Sequence, residues 1–132
     1  MFFFRKFDRS TGAQGERAAA KYLKQHKYRI LARNLRSRMG EIDILAQAPD
    51  RHTIVVVEVK TRKIEDVFMD SILPEEHVNR DKQRKLAALA SQLVNRYHLD
   101  DRPIRFDVIG VDLVATGKPV IRHHEAAFES FF

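Results

Sequence analysis

Apolar positions in the first quarter of this chain recur at the period of a helix. Glu16, Ala19, Ala20 and Leu23 fall at i, i+3, i+4 and i+7, which predicts a helix from Gly12 to about His26, and Thr11 with Gln14 forms a capping box at its start. Glu16 therefore projects from the apolar face rather than the solvated one. From Tyr28 to Leu35 the period drops to two, with Tyr28, Ile30 and Ala32 on one side and Arg29, Leu31 and Arg33 on the other, as in a strand. A turn at Met39-Gly40 leads into a second strand, Glu41 to Ala46, and Pro49-Asp50 turns that strand into a third, Thr53 to Lys60, as an antiparallel hairpin. The third run is apolar on both faces until Glu58, the pattern of a central strand.

Asn79 to about His98 predicts a second long helix with a core stripe of Leu86, Leu89, Leu93 and Tyr97, and Lys82 one turn ahead of it. Ile104 to Val111 follows Pro103 as a strand, and Pro119 to Arg122 follows Gly117 as a last one. His123 and His124 carry on that strand and so point to opposite faces, which argues against a shared metal. The order is α-β-β-β-α-β-β, an α/β fold without internal repeats. Thr61 to Val78, which includes Phe68-Met69-Asp70, is too long for a compact connection and reads as a functional or mobile loop. In the tail, Phe128, Phe131 and Phe132 stand at i, i+3 and i+4, as in a helix end docked on the core.

At 132 residues the chain is the size of one domain, read as spanning 1–132 with a flexible N-terminal segment 1–10 and a Phe-rich tail 125–132. A composition of 44% hydrophobic and 32% charged residues is that of a globular protein. The absence of cysteine excludes disulfides, thiolate zinc sites and cysteine nucleophiles. Phe2 to Phe4 is too short for a signal core or a membrane span, so a cytoplasmic location is expected. The net charge of +6 favours polyanionic partners. It is also clustered: Arg29, Arg33, Arg36 and Arg38 precede the first acidic strand, Lys60, Arg62 and Lys63 follow the next, and Arg80, Lys82, Arg84 and Lys85 open a helix.

Those clusters flank an acidic centre. Glu58 and Lys60 share a strand face, and burying a glutamate at the end of an Ile/Val strand costs several kcal/mol unless it is paired. The hairpin brings Asp43 to the same region, and two neighbouring carboxylates repel unless a hard dication joins them. Asp43 and Glu58 thus suit Mg²⁺ or Mn²⁺, with the Val59 carbonyl as a further ligand and Glu16 completing the site or holding a second ion. Lys60 can orient and deprotonate a water or stabilise charge on a phosphate. Lys82 and Gln83 can reach a phosphate, and Arg36, Arg38, Arg62, Lys63 and Arg84 can hold the backbone of a nucleic acid. The plainer alternatives are a strand-end ion pair between Glu58 and Lys60 and a structural pair between Arg105 and Asp107.

Five segments in order, Gly15-Glu16-Arg17-Ala18-Ala19, Gly40-Glu41-Ile42-Asp43-Ile44-Leu45, Val57-Glu58-Val59-Lys60-Thr61-Arg62, Lys82-Gln83-Arg84-Lys85-Leu86 and Arg105-Phe106-Asp107-Val108, resemble the motifs of the small bacterial YraN-like proteins. That family is of uncharacterised function and belongs to the restriction-endonuclease-like PD-(D/E)xK nuclease superfamily. The resemblance implies a mixed sheet flanked by helices, metal ligation by Asp43, Glu58 and Glu16, a catalytic Lys60, and kinship with dimeric Holliday-junction resolvases, hence a homodimer. Ile42 stands where the superfamily's proline would be, and no glycine follows Phe68. The leading expectation is a metal-dependent DNA nuclease for branched or single-stranded substrates. The alternatives are a non-cleaving nucleic-acid-binding module of the same fold, and an adaptor recruiting a protein through its Phe-rich termini.

Overall fold

The computed structural model describes residues 3–4, 10–64, 73, 75, 78–99, 101–115 and 117–128. Its elements are β1 (Phe3–Phe4), α1 (Thr11–Gln25), β2 (Arg29–Ser37), β3 (Gly40–Gln47), β4 (Ile54–Ile64), α2 (Arg80–Tyr97), β5 (Ile104–Val114) and β6 (Val120–His124). The strands form one six-stranded sheet in sequence order. Only β4 and β5 run parallel, joined by the crossover through α2, so the sheet is mixed.

One helix covers each face. Ala19, Ala20 and Leu23 of α1 pack with Ile44, Val55, Val57, Val59, Ile109 and Val111. Leu86, Leu89 and Leu93 of α2 pack with Ile42, Leu45, Ile54, Val56 and Phe106. The alternation of β4 between these clusters is why its run Ile54 to Val57 is apolar on both faces. It also assigns Glu58 and Lys60, which follow Val56 in step, to the α2 side.

Several expectations shift. The cap of α1 is Ser10, whose hydroxyl accepts from the Ala13 amide, so the Thr11–Gln14 box does not form. Tyr97, expected on the core stripe, is the last residue of α2 and is 52% exposed, so the stripe ends at Leu93. β4 continues to Ile64, since each of Thr61 to Ile64 finds a parallel partner in Val111 to Val114. The predicted loop therefore begins four residues later, and Phe68-Met69-Asp70 lies outside the described residues. Phe3–Phe4 pairs with Leu35 and Arg36, an edge strand the sequence did not reveal. Phe128 stacks on Phe106 with ring centroids 5.1 Å apart, from a bend rather than a helix, while Phe131 and Phe132 lie outside the described residues.

Candidate metal centre

The centre forms where the β3–β4 ladder opens. Pairing between these strands runs from Gln47↔Ile54 to Ile44↔Val57 and stops there. Beyond it, the Asp43 carboxylate accepts the Val59 amide at 2.8 Å, taking the place of a backbone acceptor. Around this point the side-chain alternation of β3 slips by one residue: Ile42 and Leu45 both face α2, while Ile44 faces α1. On β2 the same row is marked by Asn34, opposite Asp43 by the flanking register and in the left-handed region at φ 54°. A strict hairpin would have set Asp43 against Glu58 on one face. Instead Asp43 lies in the seam between the strands.

Three carboxylates gather there. Glu16, Glu41 and Asp43 each offer an oxygen within 4.8 Å of the others, the geometry of a site able to hold a metal ion. Glu41 was not among the expected ligands, although its signal was present: Glu41 and Asp43 are two apart in one strand and so share a face. α1 brings Glu16 close because Gly15 lies against Thr61 of β4, where an added Cβ would overlap the threonine side chain. Asp43, 5% exposed, has its carboxyl held well above the ordinary range. Burial is the main cause and the charge of Glu58 the next; the Val59 amide opposes them, and Glu16 adds to the rise.

Glu58 is 3% exposed, and its two oxygens differ. Oε1 receives Lys60 Nζ at 3.5 Å and Lys82 Nζ at 3.3 Å. Oε2 is buried with no hydrogen-bond partner among the described residues, and so is Asn34 Oδ1 on the same row. An unpartnered carboxylate oxygen whose charge is felt by Asp43 costs free energy in a metal-free protein. An all-oxygen set of this kind suits a hard divalent cation, so the residues present fit one. The Glu58–Lys60 pair foreseen as the plain alternative is formed, but it occupies only one of the two oxygens.

The remaining expected residues spread around this centre. Arg36 is bound to Glu41 at 3.0 Å, and Arg62 is turned onto Asp112 through Nε at 2.8 Å, so both serve internal pairs. Arg38, Lys63 and Arg84 are exposed. Lys82 and Gln83 sit in the first turn of α2, after the Asn79 cap. Arg105 and Asp107 form the structural pair expected of them, at 2.8 Å, joined by His123 at 2.7 Å. His124 turns the other way, to Glu75 at 3.0 Å.

Residues 15–111 match the model of the uncharacterised protein family UPF0102. A UPF0102 protein of Alkaliphilus oremlandii is 46% identical over 92% of this chain and 99% of its own length. One of Symbiobacterium thermophilum is 43% identical over 92% and 98%, and one of Pelobacter propionicus 42% over 92% and 84%. Among solved structures, Pyrococcus furiosus SfsA in complex with Ca²⁺ aligns over 94% of this chain and 74% of that one at 11% identity. Its TM-score of 0.32 is too low to carry an argument.

Proposed function

The chain belongs to the uncharacterised UPF0102 family, the YraN-like proteins, and from its own site we propose that it is a divalent-metal-dependent nuclease hydrolysing phosphodiester bonds in DNA. The observation that carries this reading is the buried, unpartnered Oε2 of Glu58, whose charge acts on Asp43 of the Glu16–Glu41–Asp43 group. Asp43, Glu58, Glu16 and Glu41, with the Val59 carbonyl, would hold Mg²⁺ or Mn²⁺. A cation there neutralises charge on a phosphodiester and acidifies a nearby water.

The protein's own part is positional. Lys60 and Lys82 converge on Glu58 Oε1 from two elements, which fixes the carboxylate and sets two ammonium groups where a phosphate would lie. Lys60 is then the residue to orient the attacking water or to meet the developing negative charge. Arg38, Lys63 and Arg84 supply exposed, sequence-independent contacts to the backbone. Acids and lysines together are what cleavage needs, whereas a module that only binds has no use for a buried anionic cluster. Among the described residues no helix is long and apolar enough to cross a membrane.

The test is incubation with linear duplex, single-stranded, flap and four-way-junction DNA in Mg²⁺ or Mn²⁺. Metal-dependent cleavage of at least one substrate, abolished by EDTA and by Glu58→Ala, is expected. Binding without cleavage under every condition would leave the non-cleaving module in its place.

A further inference from the structure

One row of side chains leads from the metal centre into a cleft. Glu58 is in register with Val108 on β5, and Val108 with His124 on β6. Adjacent strands lie about 4.8 Å apart, so this floor begins one strand away from Glu58. Over it opens a cleft of about 440 Å³ lined by Glu75, Val78, Gln83, Val108, His124, Glu125, Ala127 and Phe128. That is within the usual size range of ligand pockets, roughly 300–1,000 Å³.

Resting on the nuclease reading, we propose that this cleft receives an unpaired nucleobase of the nucleotide being cut, so that the substrate is DNA that is single-stranded at the cleavage point. The walls select a flat, neutral ring. Val78, Val108 and Ala127 are apolar, and the Phe128 ring is held by its stack on Phe106. Two polar groups serve the edge of a base. Gln83 donates Nε2 to the Val78 carbonyl at 3.1 Å, which orients its amide and leaves the carbonyl end as an acceptor. His124 donates or accepts through the nitrogen not used by Glu75.

The cleft is also a poor place for a phosphate. The Glu75 carboxylate forms one wall, held by Arg122 at 2.6 and 3.0 Å and kept ionised well below the usual range. Phosphate is thus drawn to the side of Lys60 and Lys82, and the base is left to the apolar side. A base inside an intact duplex is stacked and paired, and cannot enter without being flipped out.

The test measures binding in EDTA, where neither metal nor cleavage contributes. The probes are a short single strand carrying 2-aminopurine and its matched duplex. The wild type should bind the single strand more tightly than the duplex, with a change in 2-aminopurine fluorescence. Ala127→Trp fills the cleft from an exposed position, and Gln83→Ala removes the edge contact. Each should weaken single-strand binding about tenfold, the scale of one stacked base, and Ala127→Trp should leave duplex binding unchanged. If Ala127→Trp lowers the melting temperature, Gln83→Ala decides. Variants of unchanged stability that bind the single strand like wild type overturn the proposal, as does a wild type with no preference for it or no binding at all. The metal centre is judged separately, by the Mn²⁺-dependent melting shift.

Discussion

Asp43 combines two demands that conflict in the absence of metal. Its carboxylate caps the Val59 amide, which favours the charged form, while burial and the charges of Glu58 and Glu16 oppose that form and win. Asp43→Asn keeps an oxygen for the Val59 amide and removes the charge. The melting temperature in metal-free buffer at neutral pH should therefore rise by roughly a few degrees, since about 1 kcal/mol corresponds to a shift of that order in a domain of this size. The stabilisation by Mn²⁺ expected of wild type should disappear with it, because a ligand that binds only the folded state raises its stability through mass action. Calorimetry of both proteins with and without Mn²⁺ checks this. A variant less stable than wild type that keeps the metal shift would show that Asp43 is there for folding. Glu58 differs in having its charge met by Lys60 and Lys82, so Glu58→Gln should leave two lysines beside a neutral amide and gain less.

The elements show which parts of this centre could be read from the chain. Helix α1, strand β4 and helix α2 follow from local periodicity, and that periodicity correctly turned Glu16 inward and set Lys82 on the stripe that meets Glu58. The seam at Asp43 was not legible. It depends on a ladder that stops at Ile44↔Val57, on a slip in alternation within β3 and on the positive φ of Asn34, none of which has a local signature in Gly40-Glu41-Ile42-Asp43. The last four residues of β4 were hidden for a related reason, since Thr61 to Ile64 are strand only because β5 lies beside them. Gly15 is legible only in retrospect. A methyl group there would overlap Thr61, so Gly15→Ala must push α1 away from β4 and carry Glu16 with it. A loss of about 1–3 kcal/mol is expected from overpacking of this kind. Mn²⁺ affinity should fall as well, whereas Gly12→Ala on the same helix, where an added Cβ makes ordinary contact with Ser10 Oγ at 3.9 Å, should leave metal affinity unchanged. Thermal melts and metal titration of the two variants separate a positional effect on Glu16 from a general loss of helix stability.

Across the whole molecule, charge is organised as a chain of ion pairs that closes the sheet on its α2 side. Arg62 of β4 binds Asp112 of β5, Asp112 binds Arg122 of β6 at 2.8 and 3.0 Å, and Arg122 binds Glu75, whose carboxyl packs over Gly110 and also meets His124. These contacts link three strands to the segment that leads into α2, and with it Lys82 and the cleft. Arg122 and the groups around it overcome the effect of burial and hold the Glu75 carboxyl at about 2, and Arg122 with Arg62 does the same for Asp112, also about 2. Both values lie below those of the unfolded chain, so the stability these carboxylates contribute is complete above their unfolded values, near pH 4 to 4.5, and is lost as the pH falls towards 2. Glu75→Gln should therefore cost stability at pH 7, on the order of 2 kcal/mol, and much less at pH 2, where the wild-type carboxyl is itself becoming protonated. Urea unfolding at pH 7, 4 and 2 measures the difference between the two proteins. A gap that stays constant over that range would mean that Glu75 acts through its shape against Gly110 rather than through its charge, and a gap that widens as the pH falls would contradict the ion-pair account altogether.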